Sequence, residues 1–189
     1  MNPAVDFFKQ IDEAAQKALA GTGIKPPCRM GCNWCCRLPI QATTPEGMLA
    51  AEYIRENLDA GEAAALLARI KGWLDWFSKD FQKLAHSGVV PREIYMKHGP
   101  GCPFLSGGLC AIYPVRPMGC RVHFSRNEVL CRPDALEPGA FDPPVLIEKV
   151  LEAVKPVCLE YRRRLEGRGM DFDENFRLLA ELVLINWGK

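Results

Sequence analysis

The chain has 189 residues, of which 48% are hydrophobic and 25% are charged, and its net charge is +1. These proportions are ordinary for a soluble globular domain and exclude a disordered chain, a collagen-like repeat and a membrane bundle. The length predicts a single domain over residues 1–189. The near-neutral charge predicts no nucleic acid partner and no membrane partner.

Cysteine is the exception, because nine cysteines form an odd set that cannot pair completely within the chain. Nine in 189 is also below the roughly 8–10% that marks a small disulfide scaffold. Residues 1–20 carry charges and lack the apolar core of a signal peptide. We therefore expect a cytoplasmic protein, in which clustered thiols stay reduced and indicate metal or redox chemistry.

Helical periodicity dominates the first half of the chain. Apolar spacing predicts helices over residues 4–20, about 44–58 and about 62–85. Thr43 and Glu46 fit a capping box at the start of the second helix, with Pro45 in its first turn. The second and third helices are expected to pack as an antiparallel pair.

Residues 98–144 are different, since they hold eight of the fifteen prolines and six of the sixteen glycines. Such a segment cannot be mostly helical, and a loop this long in a compact domain needs something else to organise it. A bound metal would do so. One short hairpin is predicted around residues 109–113 and 121–124.

The last third returns to helical spacing. Asp142 and the prolines after it predict a helix that runs to Leu165, with a kink at Pro156. A final apolar helix is predicted over residues 172–187. The expected fold class is therefore mainly α, a small helical domain with an irregular Cys/Gly/Pro-rich metal-binding region over about residues 28–131.

The first cysteine cluster has four thiols in nine residues. On an α-helix, each residue advances about 100°, so these thiols would share an arc of roughly 100° on one face. Such an arc has little use in packing but brings sulfur donors together, as a soft metal site requires. The cluster consists of Cys28, Cys32, Cys35 and Cys36.

The second cluster has Cys102, Cys110 and Cys120 among Gly/Pro turns, with Arg116 and Arg121 nearby. Arginines can offset the charge of several thiolates around a metal. The predicted metal ligands are the seven cysteines of both clusters, more than one tetrahedral zinc requires. They would build one cluster with spare thiols or two sites that share a ligand.

Four further residues are weighed beside this set. Cys131 lies in the same loop region and its role is left open, as is that of His123, which is a ligand, a neighbour of the ligands or neither. His86 is expected to be structural. Cys158 falls in the apolar stripe of a helix and is expected to be a core thiol.

The two clusters together resemble the CxxCxxCC family, also called the YkgJ family, which is described as a zinc- or iron-chelating domain. The resemblance rests on the first cluster and on three motifs in the second segment, and it covers about residues 28–124. Three residues rather than two separate Cys28 from Cys32, which is a departure from the family pattern. The three motifs are Cys102-Pro-Phe-Leu, Cys110-Ala-Ile-Tyr and Arg116-Pro-Met-Gly-Cys120-Arg121.

The resemblance implies binding of a metal ion or cluster and no settled reaction, although flagellin lysine methylases carry a similar cysteine region. A second, partial match lies in Cys28-x-x-x-Cys32-x-x-Cys35, which has the spacing of the radical S-adenosylmethionine loop. That family would require strand–helix repeats after the motif, and the sequence predicts helices and loops instead.

Three functions stay open, and no protein partner or catalytic residue is identified. The first is a metal-binding protein that holds zinc or an iron–sulfur cluster, with its reaction undefined. The second is an iron–sulfur enzyme related to radical S-adenosylmethionine or lysine methylase chemistry, in which the metal centre performs the reaction. The third is a protein-interaction module held by a structural zinc.

Overall fold

The fold is described from a computed structural model, which describes residues 2–29, 31–89, 91–125, 131–132, 147–170, 172 and 176–188. In these ranges helices predominate, which confirms the predicted mainly α class. The helices are α1 (Pro3–Ala20), α2 (Thr44–Asn57), α3 (Ala60–Trp76), α4 (Gln82–His86), α5 (Pro91–Glu93), α6 (Met118–Arg121), α7 (Glu148–Glu166) and α8 (Leu179–Trp187). The strands are β1 (Gln41–Thr43), β2 (Leu105–Ser106), β3 (Leu109–Cys110) and β4 (Phe176–Leu178).

The helices of the first half begin and end close to their predicted positions. Asn2 caps α1, and its side chain accepts a hydrogen bond from the backbone N–H of Ala4. Glu46 accepts a hydrogen bond from the Thr43 N–H, which is one half of the expected capping box of α2. The predicted third helix is divided into α3 and α4 by a π-helical turn over Phe77–Phe81.

Two small antiparallel sheets accompany the helices. The first pairs β1 with β4, with Gln41 opposite Leu178 and Thr43 opposite Phe176. Each strand has only three residues, too few for an alternating pattern to be visible in the sequence. This pairing ties the segment after the first cysteine cluster to the start of α8.

The second sheet is a hairpin, and one of its strands, β3, lies within the predicted first strand of residues 109–113, whereas the other, β2, was not predicted. It pairs β2 with β3, and Gly107 and Gly108 form the turn with φ values of +56° and +81°. Two successive residues with positive φ suit a type I′ turn, which matches the twist of a hairpin and favours glycine. The predicted second strand, residues 121–124, does not form, and Arg121 is instead the last residue of the short helix α6.

The C-terminal third also departs from its predicted bounds. Helix α7 continues through Pro156, and its predicted start at Asp142 lies outside the described residues. The final helix α8 begins at Leu179 rather than at residue 172, because residues 176–178 form β4.

The buried apolar residues form two groups. In one, α1 packs on α7, with Ile11 and Leu165 fully buried. In the other, α2 and α3 pack on α8, with Ile54 and Leu66 fully buried. The main partner of α2 is therefore α8 rather than α3, and the expected antiparallel pair is not the principal contact. In the described part of the chain, no helix has the length and apolarity to cross a membrane.

Candidate metal centre

The described residues of the first cysteine segment form turns, as the predicted irregular region requires, so the arc of thiols that an α-helix would give does not form. Pro26 and Pro27 precede it, and Gly31 has a φ of +87°, which glycine adopts without strain. The Cys32 N–H donates to the Arg29 carbonyl at 2.9 Å. Among the described residues of this segment, only Trp34–Arg37 is helical, as a short 3₁₀ turn.

The two cysteine segments meet directly through their backbones. The Cys102 N–H donates to the Cys36 carbonyl at 2.5 Å, and this bond brings the second segment against the 3₁₀ turn of the first. On the other side, the Ser125 N–H points at the Cys28 sulfur at 3.5 Å. Cysteines far apart in sequence therefore lie side by side.

Short elements position the cysteines of the second segment. Cys110 ends strand β3 of the glycine hairpin, and the Ala111 N–H next to it donates to the Phe104 carbonyl at 2.8 Å. Cys120 lies on α6, a helix of only four residues. Neither element is long enough to be stable alone, so both depend on contacts with the rest of the fold.

One cavity of about 400 Å³ collects the predicted ligands. Its walls also include His123 and the arginines Arg29, Arg116 and Arg121, together with apolar side chains such as Leu38, Ile40 and Phe124. All seven predicted cysteines contribute to the lining: Cys28, Cys32, Cys35, Cys36, Cys102, Cys110 and Cys120.

Two groups of neighbouring thiols can be distinguished, one around Cys28 and one around Cys102, and Cys36 lies beside Cys35. Burial raises the pKa of Cys28, and nearby Cys32, Cys35 and Cys131 raise it further. Burial likewise raises the pKa of Cys102, with further contributions from its neighbours Cys120, Cys110 and Cys35. Cys35 is thus a neighbour of both groups.

Cys131, whose role the sequence left open, is buried beside the first of these groups. The adjacent Arg132 lies over the Trp34 ring, with its guanidinium carbon 5.6 Å from the ring centroid. Arg132, next to Cys131 in the chain, therefore contacts the 3₁₀ turn that carries Cys35 and Cys36.

Two of the lining thiols, those of Cys35 and Cys120, have raised pKa values. A hydrogen bond with Cys36, followed by burial, raises the pKa of Cys35 far above its ordinary value. Burial raises the pKa of Cys120 to about 12, partly offset by the positive charge of Arg116. At neutral pH these groups are thiols, so a metal that binds them must displace protons.

Arg116 is fixed beside the second group. Its guanidinium stacks over the Tyr113 ring at 4.0 Å and donates to the Tyr113 carbonyl at 3.1 Å. Its charge lowers the pKa of Cys110 and of Cys120, against the larger effect of burial. Arg116 therefore lies where its positive charge can offset the negative charge of thiolates, as the sequence predicts.

The donor set fits a thiophilic metal by its chemistry. Within the described ranges, no three Cys, His, Asp or Glu side chains already stand at the separation that one metal ion requires. The sulfurs instead surround a cavity wider than a single ion, and cysteine side chains can turn towards a common centre. Zinc and iron–sulfur clusters are the groups that several cysteine thiolates hold.

The remaining candidates lie away from this cavity. His86 ends α4, with its Nδ1 atom 2.6 Å from the Gln82 carbonyl. Cys158 packs beside Met118 in the group formed by α1 and α7, with its sulfur 3.2 Å from the Met118 sulfur. This position agrees with the expected core thiol.

The sequence indicates Glu46 only as part of a helix cap, but in the structure Glu46 also contacts a distant segment of the chain. Its Oε1 atom accepts a hydrogen bond from the Met118 N–H at 2.9 Å, at the start of the helix that carries Cys120. The capping pattern was the only signal at this position. It does not indicate a partner 72 residues away.

Fold and cavity together define a mainly α-helical domain with a cysteine-lined candidate metal centre. The chain belongs to the CxxCxxCC family, described as a "putative zinc- or iron-chelating domain", which it matches over residues 27–136. The match includes both cysteine segments and confirms the resemblance drawn from them. No curated protein and no solved structure is significantly similar to the chain.

Proposed function

We propose that the protein binds zinc or an iron–sulfur cluster through thiolates of the cysteines that line the cavity. The observation that carries this proposal is the convergence of seven cysteines from two distant segments on one cavity. Membership of a family of zinc- or iron-chelating domains supports it. Thiolates are the ligands of closed zinc sites and of iron–sulfur clusters alike.

The number of thiols supports a centre larger than one zinc ion. A tetrahedral zinc takes four ligands, and the seven lining thiols exceed that number. Cys28 and Cys32 fall in one electrostatic group and Cys102, Cys110 and Cys120 in the other, with Cys35 beside both. This arrangement of thiols suits two neighbouring metal sites, or one iron–sulfur cluster with spare thiols. Cys131 is a candidate eighth ligand through its proximity to Cys28.

Metal binding at this place should stabilise the fold. The cavity walls are turns and very short elements, which metal ligation would tie together. All nine cysteines, each in the described part of the chain, are free thiols. Because such thiols persist in reducing compartments, we propose a cytoplasmic location and a single domain that includes the metal centre.

An iron–sulfur enzyme is the second candidate, and the size of the cavity favours it. About 400 Å³ falls in the range of about 300–1,000 Å³ typical of small-molecule sites. Apolar side chains such as Leu38, Ile40 and Phe124 line part of the wall, as in pockets that bind organic ligands. In this candidate a bound cluster would supply the redox chemistry, and the cavity would hold the substrate beside it.

Metal analysis with a visible absorption spectrum, on protein purified without oxygen, tests the proposal. Iron and sulfide together with a brown colour that bleaches on reduction identify a cluster, and they lead to tests of S-adenosylmethionine binding. Zinc in a colourless solution identifies a zinc centre. A folded protein with reactive thiols that takes up neither metal contradicts the proposal.

A further inference from the structure

Glu46 is a buried carboxylate whose two oxygens serve different parts of the fold. Only 1% of the residue is exposed. Its Oε2 atom accepts from the backbone N–H of Thr43 at 2.8 Å and from the Thr43 hydroxyl at 2.9 Å. Its Oε1 atom accepts from the backbone N–H of Met118 at 2.9 Å.

A second hydroxyl extends this network to α7. The Thr43 and Tyr161 hydroxyl oxygens are 3.0 Å apart. Since the single Thr43 hydroxyl proton is directed at Glu46, the Tyr161 hydroxyl donates to Thr43. Tyr161 stacks on Phe7 with ring centroids 3.9 Å apart, so this side of the network is fixed by α1 and α7.

A helix cap alone does not account for the position of Glu46. The carboxylate of an exposed capping residue remains hydrated, whereas burial raises the pKa of Glu46 and disfavours its charged form. Two of its three hydrogen bonds come from Thr43, three residues earlier in the chain. The third reaches the first residue of α6, in a different segment of the chain.

Helix α6 needs external anchors because it has only four residues. A helix this short cannot form alone, since nucleation costs more than its few hydrogen bonds return. Glu46 holds its first residue, Met118, and Arg121 at its last residue donates to the carbonyls of Arg116 and Pro114. Cys120 lies between these two anchors.

We infer that Glu46 is a positioning residue, which fixes the start of α6 and thereby directs the Cys120 thiol towards the candidate metal centre. The inference rests on the proposed function, since it assumes that Cys120 is a metal ligand. Partners that orient ligands typically contribute 10–100-fold to metal affinity. Loss of the Glu46–Met118 bond should therefore weaken metal binding without removal of any sulfur donor.

Glu46→Gln is the first test, with cobalt(II) as a spectroscopic probe for thiolate ligation and zinc(II) as a competitor. A glutamine amide has one acceptor oxygen and one donor nitrogen, so it cannot accept from Thr43 and from Met118 at once. We expect about tenfold weaker zinc binding and a changed thiolate-to-cobalt absorption band. The matched control is Tyr161→Phe, which removes the far end of the network but keeps the Glu46–Met118 bond. It should lower stability and leave the zinc affinity and the cobalt band at their wild-type values.

Met118→Pro tests the same hydrogen bond from its other end, and it remains informative if Glu46→Gln does not fold. Proline lacks the N–H that donates to Glu46 but is tolerated as the first residue of a helix. The preceding Pro117 already has the extended backbone that a following proline requires, with a ψ of 167°. Met118→Leu keeps the N–H and is the reference. We expect about tenfold weaker zinc binding by the proline variant than by the leucine variant.

The outcomes separate this inference from the proposed function. Equal losses of zinc affinity in Glu46→Gln and Tyr161→Phe would overturn the inference alone. Equal affinities of Met118→Pro and Met118→Leu would do the same. A wild-type protein that binds neither cobalt nor zinc, and carries no iron, overturns both.

Discussion

The guanidinium of Arg121, from the second cysteine segment, forms an ion pair with the carboxylate of Asp12 on α1. The Arg121 side chain is only 4% exposed, and the same group lies over the Phe8 ring at 4.2 Å. Two backbone carbonyls, those of Arg116 and Pro114, accept its remaining hydrogen bonds. Arg121 therefore joins the first helix, the loop before α6 and α6 itself.

Arg121→Lys should destabilise the metal-free protein by about 2 kcal/mol, because an ammonium cannot reach acceptors in several directions as a planar guanidinium does. Asp12→Asn should cost less, about 1 kcal/mol, since Asp12 is 44% exposed and the Arg121 carbonyl contacts remain. Urea unfolding at constant pH measures both free energies of unfolding.

The neighbouring residue on α1 provides the control for this pair. Glu13 pairs with Lys9 at 4.0 Å, and both side chains are largely exposed. Glu13→Gln should change the free energy of unfolding by less than about 0.5 kcal/mol. A loss in Asp12→Asn no larger than that in Glu13→Gln would show that the Arg121–Asp12 contact adds no stability.

Cys35→Ser should lose bound metal and stability together. Cys35 lines the cavity and lies near both thiol groups. Its removal should therefore weaken metal binding whether the cysteines form one centre or two. Serine keeps the size of the side chain but replaces the soft thiolate donor with a hydroxyl. Metal content per chain, with thermal unfolding of the metal-loaded protein, is the measurement.

Cys158→Ser is the matched variant for Cys35→Ser, since it makes the same chemical change outside the cavity. Cys158 contacts Met118 and does not line the metal centre. The Cys158→Ser variant should retain the metal content of the wild type. Equal metal content in wild type and Cys35→Ser would contradict the assignment of Cys35 as a ligand.

The sequence predicted the helices, which follow from local apolar periodicity, but not the contacts between segments that are far apart in the chain. Apolar periodicity and the Thr43–Glu46 pattern located α1 and α2 to within a few residues. The spacing of the first cysteine cluster would also suit one face of an α-helix, which does not form because Gly31 has a positive φ and two prolines precede the cluster. The β1–β4 pairing joins three-residue strands far apart in the chain, which no local pattern reveals.

The sequence could predict which kind of residue forms the candidate site, but not how those residues are arranged in space. Clustered cysteines indicated the metal chemistry, and all seven line one cavity, while their role as ligands stays a prediction. The contact between Glu46 and Met118 joins residues that no spacing rule connects. The two thiol groups around Cys35 likewise arise from the meeting of both segments, which tertiary structure alone specifies.

Gly47→Ala should destabilise the packing of α2 on α8. A Cβ atom at position 47 would lie 2.3 Å from the Cβ of the buried Leu182, which is bonded directly to the α8 backbone and cannot rotate away. Overpacking of this kind costs about 1–3 kcal/mol, more than the roughly 1 kcal/mol that alanine adds as a helix former. Chemical unfolding should therefore show a net loss.

Gly72→Ala is the opposite case on α3. A Cβ atom there meets no other atom within 4 Å, so the substitution only improves helix propensity. It should raise the free energy of unfolding by about 0.5–1 kcal/mol. A loss of stability in Gly72→Ala, or a gain in Gly47→Ala, would contradict the packing described for these two helices.

Cys158 should be a slowly reacting thiol whose alkylation depends steeply on pH. Burial, with a smaller effect of the nearby Glu46 carboxylate, raises its pKa from 9.0 to about 11. Because the thiolate is the reactive form, native Cys158 should react with iodoacetamide about 100-fold more slowly at pH 8 than Cys158 in the urea-unfolded chain. The raised pKa also means that this thiol contributes stability below about pH 9, which is lost as the pH rises through about 11. Site-resolved mass spectrometry follows the reaction at Cys158 alone, and the native rate should rise about tenfold per pH unit between pH 8 and pH 10. Equal rates in native and unfolded protein at pH 8 would mean that α1 and α7 do not shield this thiol.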